Sequence, residues 1–336
     1  MERDEFQRSI QERLIERAPQ LQVRSVSRVL RFPGGLSFET YLLEVDTAAG
    51  PSRLILRKEP EGGPLEPYDI GHEVKIYQHL AGTDVPVPAV HYVEDDPSVL
   101  GRRFLVCEYI AGTAHAHTAP RFNDEATRQR TLETFVDTLA TIHSVDVTRL
   151  RPAGEGGESR ALEEVRHWRS RFAQAELVPR PIVRHLFDVL EANAPADAPQ
   201  VLVHGDYRLS NIMWDGDRIV SVLDWERAFL GDPMADIAFT LNKSLNGWCA
   251  VKGEMAERYT AKSGIELDGR RLAFWQLMEL AKSATVGMIG TAALAHGRTS
   301  DLRLLSVGTA STAIEPVVPR LLAAFDQLSA TTQGAS

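Results

Sequence analysis

Residues 201–225 read VLVHGDYRLSNIMWDGDRIVSVLDW, and this stretch decides the fold. It opens with an apolar run over 201–204, the length of a short buried strand. A second run covers 211–214, Asp215-Gly216-Asp217 has the chemistry of a tight turn, and 218–223 alternates as a returning strand. The hairpin predicted from this pattern folds Asp224 back beside Asn211. Asp206 stands five residues before Asn211, and Asp224 thirteen after it.

Transfer of a γ-phosphoryl group needs a carboxylate that orients the attacking hydroxyl and hard oxygen ligands that hold Mg²⁺ against the nucleotide phosphates. The kinase catalytic loop H-R-D-x-x-x-x-N has the same five-residue interval, filled here by His204-Gly205-Asp206 and then Asn211. Singly, an Asn reads as a turn residue and an Asp after a strand as a helix cap. In this order, with a hairpin between them, they point to phosphoryl transfer, with Asp206 as base and Asn211 and Asp224 as metal ligands. A metal hydrolase would need a second histidine at ligand spacing beside His204 and Asp206. None has it, and hard oxygen ligands select Mg²⁺.

His204-Gly205-Asp206-Tyr207-Arg208-Leu209-Ser210-Asn211, Leu223-Asp224-Trp225-Glu226 and Gly231-Asp232-Pro233-Met234-Ala235-Asp236 together resemble the aminoglycoside phosphotransferase-like family, relatives of choline kinase. They are most similar to the branch that includes kinase-like domains fused to acyl-CoA dehydrogenases. The resemblance covers nearly the whole chain and is weakest after about Leu245. It implies an α+β, two-lobed, protein-kinase-like fold, with a small β-rich N-lobe (1–110) and a larger, mainly helical C-lobe (111–336). It also implies ATP as co-substrate, a brace from Asp236 to the backbone of the catalytic loop, and an acceptor that is either an aminoglycoside-like cation or a hydroxyacyl thioester. A nucleotide-binding regulatory module without transfer is the competing class. Glu226 has no assigned role in this reading.

Residues 25–32 and 38–45 read as strands around Pro33-Gly34-Gly35-Leu36-Ser37. Gly34 and Gly35 let backbone N–H groups approach phosphate, with Ser37 as a further contact, although two glycines in a hairpin also serve simply as a turn. Residues 53–58, RLILRK, form a third strand that offers a phosphate-side cation. Alternation sets Ile55 and Arg57 on one face and Leu54, Leu56 and Lys58 on the other, which favours Arg57 over Lys58. A helix over 70–80 carries Glu73, a partner for Arg57 or simply an acid in a first helical turn. Residues 104–109 read as a strand, with adenine expected against the backbone between Glu108 and Ile110. Arg208, two residues after Asp206, is either a γ-phosphate contact or a surface ion pair. His143, at the end of a helix over 128–143, reads as a packing residue.

The 336 residues are 43% hydrophobic and carry a net charge of −9, from 37 basic and 46 acidic side chains. That balance lacks the basic footprint of nucleic-acid binding, and an acidic cleft would suit a cationic substrate or bound Mg²⁺; the expected partner is a small-molecule hydroxyl substrate. Cys107 and Cys249 are too few for a disulfide framework, and the charged N-terminal segment has no apolar signal core, so a cytoplasmic setting is expected. The long apolar stretch 272–295 is interrupted by Glu279 and Lys282, which suits a buried helix rather than a membrane span. Substrate specificity is expected after Leu245, around Trp248, Tyr259, Trp275 and Met278, residues whose default role is core.

Overall fold

Alternating side chains in the first third of the chain build one antiparallel sheet. The computed structural model describes residues 3–114, 124–151, 159–242, 251–312 and 314–333. Strands β1 (Val23–Arg31), β2 (Glu39–Thr47), β3 (Gly50–Lys58), β4 (Val90–Glu94) and β5 (Phe104–Glu108) pair in the order β1-β2-β3-β5-β4. Leu54 and Leu56 point to one face, where they join Val26, Leu43, Val45 and Val106 beneath Ile10 and Leu14 of helix α1 (Arg3–Arg17). Ile55 and Cys107 point to the other, with Phe38, Ile70 and Val74. One face is thus sealed by α1, and the opposite face turns toward the rest of the molecule.

Helix α2 (Ile70–Leu80) starts where the Asp69 carboxylate accepts the Gly71 N–H at 3.0 Å. Its first turn packs on the sheet. Farther along, Ile76, Tyr77 and Leu80 belong to the large core of the second lobe, so α2 ties the two together.

The second lobe contains α3 (Glu125–His143), α4 (Arg160–Ala175), α5 (Pro181–Ala192), α6 (Met234–Thr240), α7 (Glu254–Ser263), α8 (Gly269–Ala295), α9 (Arg303–Thr312) and α10 (Val318–Gln333). Helix α8 has 27 residues and packs against α4, α5, α6, α9 and α10. At 1.5 Å per residue it spans about 40 Å, yet Glu279 and Lys282 lie buried at its middle. Among the described residues, no helix is long and apolar enough to cross a membrane. The architecture is the two-lobed α+β fold expected from the sequence.

The second lobe also holds two small sheets. Strand β6 (Thr113–Ala114) pairs with β8 (Ile212–Asp215), which pairs with β9 (Arg218–Val222). Strand β7 (Val201–Val203) pairs antiparallel with β10 (Phe229–Gly231). Strands β4, β6 and β10, of five, two and three residues, are additions to the strands expected from the sequence. The expected strand over 211–214 begins one residue late, because 209–211 closes a 3₁₀ turn that delivers Asn211 to the start of β8.

Candidate active site

The catalytic loop is shaped by one buried carboxylate. Asp236, in the first turn of α6, accepts the backbone N–H of His204 at 2.8 Å and that of Gly205 at 2.9 Å, one on each oxygen. The His143 ring lies 3.1 Å from Asp236 Oδ2 and its Nδ1 is 2.6 Å from the Tyr259 hydroxyl. His143 is therefore part of this polar chain as well as a packing residue. Burial works to raise the Asp236 pKa, but the His143 hydrogen bond and the His204 contacts outweigh it and hold the carboxyl below the usual range.

Gly205 has φ of +76°, and a Cβ there would sit 2.4 Å from the carbonyl oxygen of Arg227. Both the left-handed backbone and the close approach demand glycine. Gly205→Ala is expected to destabilise the fold by about 2 kcal/mol or more, read as a lower urea midpoint at unchanged m-value.

The His204 Nε2–H donates to the Leu223 carbonyl at 3.0 Å, and Nδ1 accepts the Asp206 N–H at 3.2 Å. Burial holds its pKa below the ordinary value. Both ring nitrogens are thus occupied by backbone, which removes His204 as a metal ligand and makes it the strut between the base loop and the Leu223-Asp224 turn. The Asp206 carboxylate receives Asn211 Nδ2 at 2.8 Å and Arg208 at 3.1 Å on Oδ2, while Oδ1 lies 3.9 Å from Arg227. Asn211 Nδ2 also reaches the Asp206 carbonyl at 3.0 Å. With its amide hydrogens turned to Asp206, Asn211 keeps its side-chain oxygen as the remaining ligand group.

The β8–β9 hairpin pairs Ile212 with Val222, and the Leu223 N–H donates to the Asn211 carbonyl at 2.8 Å. This brings Asp224 beside Asn211. Asp224 adopts φ of +69°, a left-handed conformation that costs a non-glycine residue of order 1–2 kcal/mol. Its carboxylate meets Arg57 at 2.7 Å, and Arg57 lies 3.4 Å from the buried Glu73. Burial works to raise the Asp224 pKa, but the charge and hydrogen bond of Arg57 prevail and hold it low. Arg57 itself stays charged, because Glu73 and Asp224 more than offset its burial.

Arg57, Asn211 and Asp224 line a cavity of about 440 Å³ between the lobes, together with Gly35, Ser37, Glu108 and Ile110. Gly34 lines a different cavity, and Lys58 is on the opposite strand face, 2.8 Å from Glu39. Strand alternation explains the separation: adjacent β3 residues cannot share one face. Asn211 and Asp224 supply one neutral and one ionised oxygen ligand. Such a donor pair fits the preference of Mg²⁺ for hard oxygen ligands.

A second cavity has a volume of about 350 Å³, and one of its wall residues, Arg227, lies 3.9 Å from Asp206. It is lined by Phe38, Leu65, Tyr68, Trp168 and Phe229 and by the polar residues His72, Glu164, His167, Arg171, Glu226 and Arg227. None of these lies after Leu245, where specificity was expected; Tyr259, Trp275 and Met278 are fully buried core, and Trp248 lies outside the described residues. Helix α4 supplies the wall instead, against the 226–229 segment. Glu226 receives the Ser37 hydroxyl, and burial beside Asp224 pushes its pKa well up. Arg227, 3.6 Å from Glu279, connects Asp206 to a buried chain in which Lys282 is 3.5 Å from Glu279 and 2.9 Å from Glu164. The signal for this network was present in the two charges that interrupt 272–295.

The chain matches the profile of the phosphotransferase enzyme family over residues 28–275. It is 32% identical over 217 residues to acyl-CoA dehydrogenase family member 10 of Mus musculus, a match covering 63% of this chain and 20% of that one. It thus spans about a fifth of that relative's length. Hygromycin-B 4-O-kinase of Escherichia coli is 26% identical over 255 residues, covering 70% of this chain and 71% of the kinase. A candidate aminoglycoside phosphotransferase from Ralstonia eutropha has the same fold, with a TM-score of 0.69, 22% identity and coverage of 94% and 97%. With a match across most of its length and this fold around the Asp206, Asn211 and Asp224 constellation, the chain belongs to the phosphotransferase enzyme family.

Proposed function

We propose that this chain transfers the γ-phosphoryl group of ATP to a hydroxyl of a small molecule, with Asp206 as the base that orients the acceptor. The observation that carries the reading is that the Asp206 carboxylate contacts a wall residue of each cavity, Asn211 of the larger at 2.8 Å and Arg227 of the smaller at 3.9 Å. Arg57 grips the α- and β-phosphates, steered by Glu73. The backbone around Gly35, with Ser37, covers the phosphates, and the strand end from Glu108 to Ile110 faces the adenine. Arg208, already within ion-pair distance of Asp206, stabilises the charge that moves with the transferred group. Asn211 and Asp224 would hold Mg²⁺, which supplies charge neutralisation on the phosphates when bound.

The acceptor reading divides between a hydroxyacyl thioester and an aminoglycoside-like cation. Relatives named for acyl-CoA dehydrogenases, at 30–32% identity, favour the first, in a catabolic rather than a resistance setting. Coupled ADP detection over aminoglycosides, amino alcohols, sugars and hydroxyacyl-CoA compounds tests both. Mg²⁺-ATP binding with no acceptor-stimulated ADP release from any of them would instead identify a regulatory module.

The division of labour on β3 is also testable. Arg57→Ala is expected to raise the KM for ATP by roughly tenfold or more, the worth of a charge-assisted contact. Lys58→Ala, which breaks only a pair on the other face, is expected to leave it within about twofold. Steady-state kinetics with varied ATP distinguishes them, and equal effects would remove Arg57 from its assigned place.

A further inference from the structure

The acceptor cavity holds two guanidinium groups, Arg171 without a carboxylate partner and Arg227 with carboxylates only at the long end of ion-pair distance. Arg171, on α4, donates NH2 to the Glu66 carbonyl at 2.7 Å and stacks 4.8 Å from the Trp168 ring. Among the described residues no carboxylate lies within ion-pair distance of it, and its Nε is buried with no hydrogen-bond partner. Arg227 approaches Glu279 and Asp206 only at 3.6 and 3.9 Å, beyond hydrogen-bond length, and its Nε is likewise buried and unpartnered.

The carboxylates nearby are committed elsewhere. Glu164 is held by Lys282 and by the Trp168 indole N–H, each at 2.9 Å. Asp69, at the mouth, pairs with Arg103 at 3.1 Å. Glu226 forms no ion pair with either arginine among the described residues. For Arg171, a guanidinium with neither salt bridge nor full hydrogen bonding is costly, and its planar fork matches an anionic oxygen pair.

We infer that Arg171 and Arg227 form an anion-recognition site for the phosphoryl acceptor, which therefore carries a carboxylate- or phosphate-type group on a largely apolar body. This rests on the reading of the cavity as the acceptor site. The apolar walls, Phe38, Leu65 and Phe229, take the body, while the anionic end binds the two arginines and places the hydroxyl at Asp206. A polycation meets like charge in the same space, and discrimination against it is built into the wall.

The test is calorimetric titration of the full chain, held with saturating Mg²⁺-ADP, using hexanoate, hexyl phosphate, hexanol and hexylamine. Hexanoate or hexyl phosphate should bind at least about tenfold tighter than hexanol, with no detectable binding of hexylamine. The two anions separate carboxylate from phosphate preference. R171Q should erase the advantage of the anion over hexanol, and R171K should restore part of it. The comparison of ligands on the unaltered protein stands even if a variant does not fold. Hexylamine binding as well as hexanoate, or an anion preference intact in R171Q, would overturn the proposal. ADP release measured on the same protein reports phosphoryl transfer separately: anion binding without turnover by any acceptor counts against the kinase reading alone, and turnover restricted to cationic acceptors counts against the anion site alone.

Discussion

Asp206→Asn is expected to lower kcat by roughly 10²–10⁴-fold, the usual contribution of a positioned general base, while nucleotide affinity changes by no more than about threefold. The side chain keeps its shape and an oxygen to accept from Asn211 and Arg208, the two contacts on Oδ2. What disappears is the negative charge that draws the acceptor hydroxyl into line. Arg57, the Gly35 turn and the Glu108 strand end do not touch Asp206, so ATP binding has no reason to follow kcat. Single-turnover transfer and nucleotide titration, run side by side, check both halves. Turnover within tenfold of the unaltered protein would take Asp206 out of the base role.

Asp236→Asn should do its damage through the fold. The His204 and Gly205 N–H groups each address a separate oxygen of Asp236. An amide offers one oxygen, and its NH₂ would confront the second donor. Leaving a buried donor unpaired and deleting a buried charge partner together cost about 3–5 kcal/mol, to be read by urea unfolding. Loosening of the loop should also lower kcat, since Asp206 follows Gly205 directly.

The same carboxylate sets a pH dependence. Its folded pKa lies below the unfolded value, so its stabilisation is complete above about pH 4 and is lost as pH falls through the folded pKa. Acid unfolding curves should lose that part of their dependence in the variant. An unchanged acid limb would assign the low-pH transition to other carboxylates.

Local pattern made much of the site legible. The interval from Asp206 to Asn211 and the Asp-Gly turn after it suffice to place Asn211 and Asp224 together, because a hairpin's register follows from its turn and its alternation. The choice of β3 face also follows from alternation. Arg57 reaches Asp224 across 167 residues of sequence, yet strand period alone says which of two neighbouring cations has that opportunity. Asp236 shows the opposite case for His143. A lone histidine at a helix end has a packing residue's pattern, and its bond to a carboxylate 93 residues away has no local signature.

The acceptor cavity lies beyond any such pattern. Its walls come from the 65–69 segment, α2, α4 and the 226–229 segment, which lie far apart in sequence. Of the residues singled out after Leu245, Tyr259, Trp275 and Met278 fill the core, their default role. The charges on α8 that looked like interruptions are the buried ends of a network running to Asp206.

By itself, then, the sequence determined the fold class, the hairpin, the grouping of Asp206, Asn211 and Asp224, and the strand face that Arg57 shares with Ile55, all properties of residues within a few positions or a fixed period of each other. Only the tertiary structure decided that Arg171 and Arg227 share a cavity and that Glu164 and Glu279 both lie within ion-pair distance of Lys282. A charge has the same symbol in the sequence whether it is paired or not. Its compensation depends on distances between distant segments, and only packing sets those.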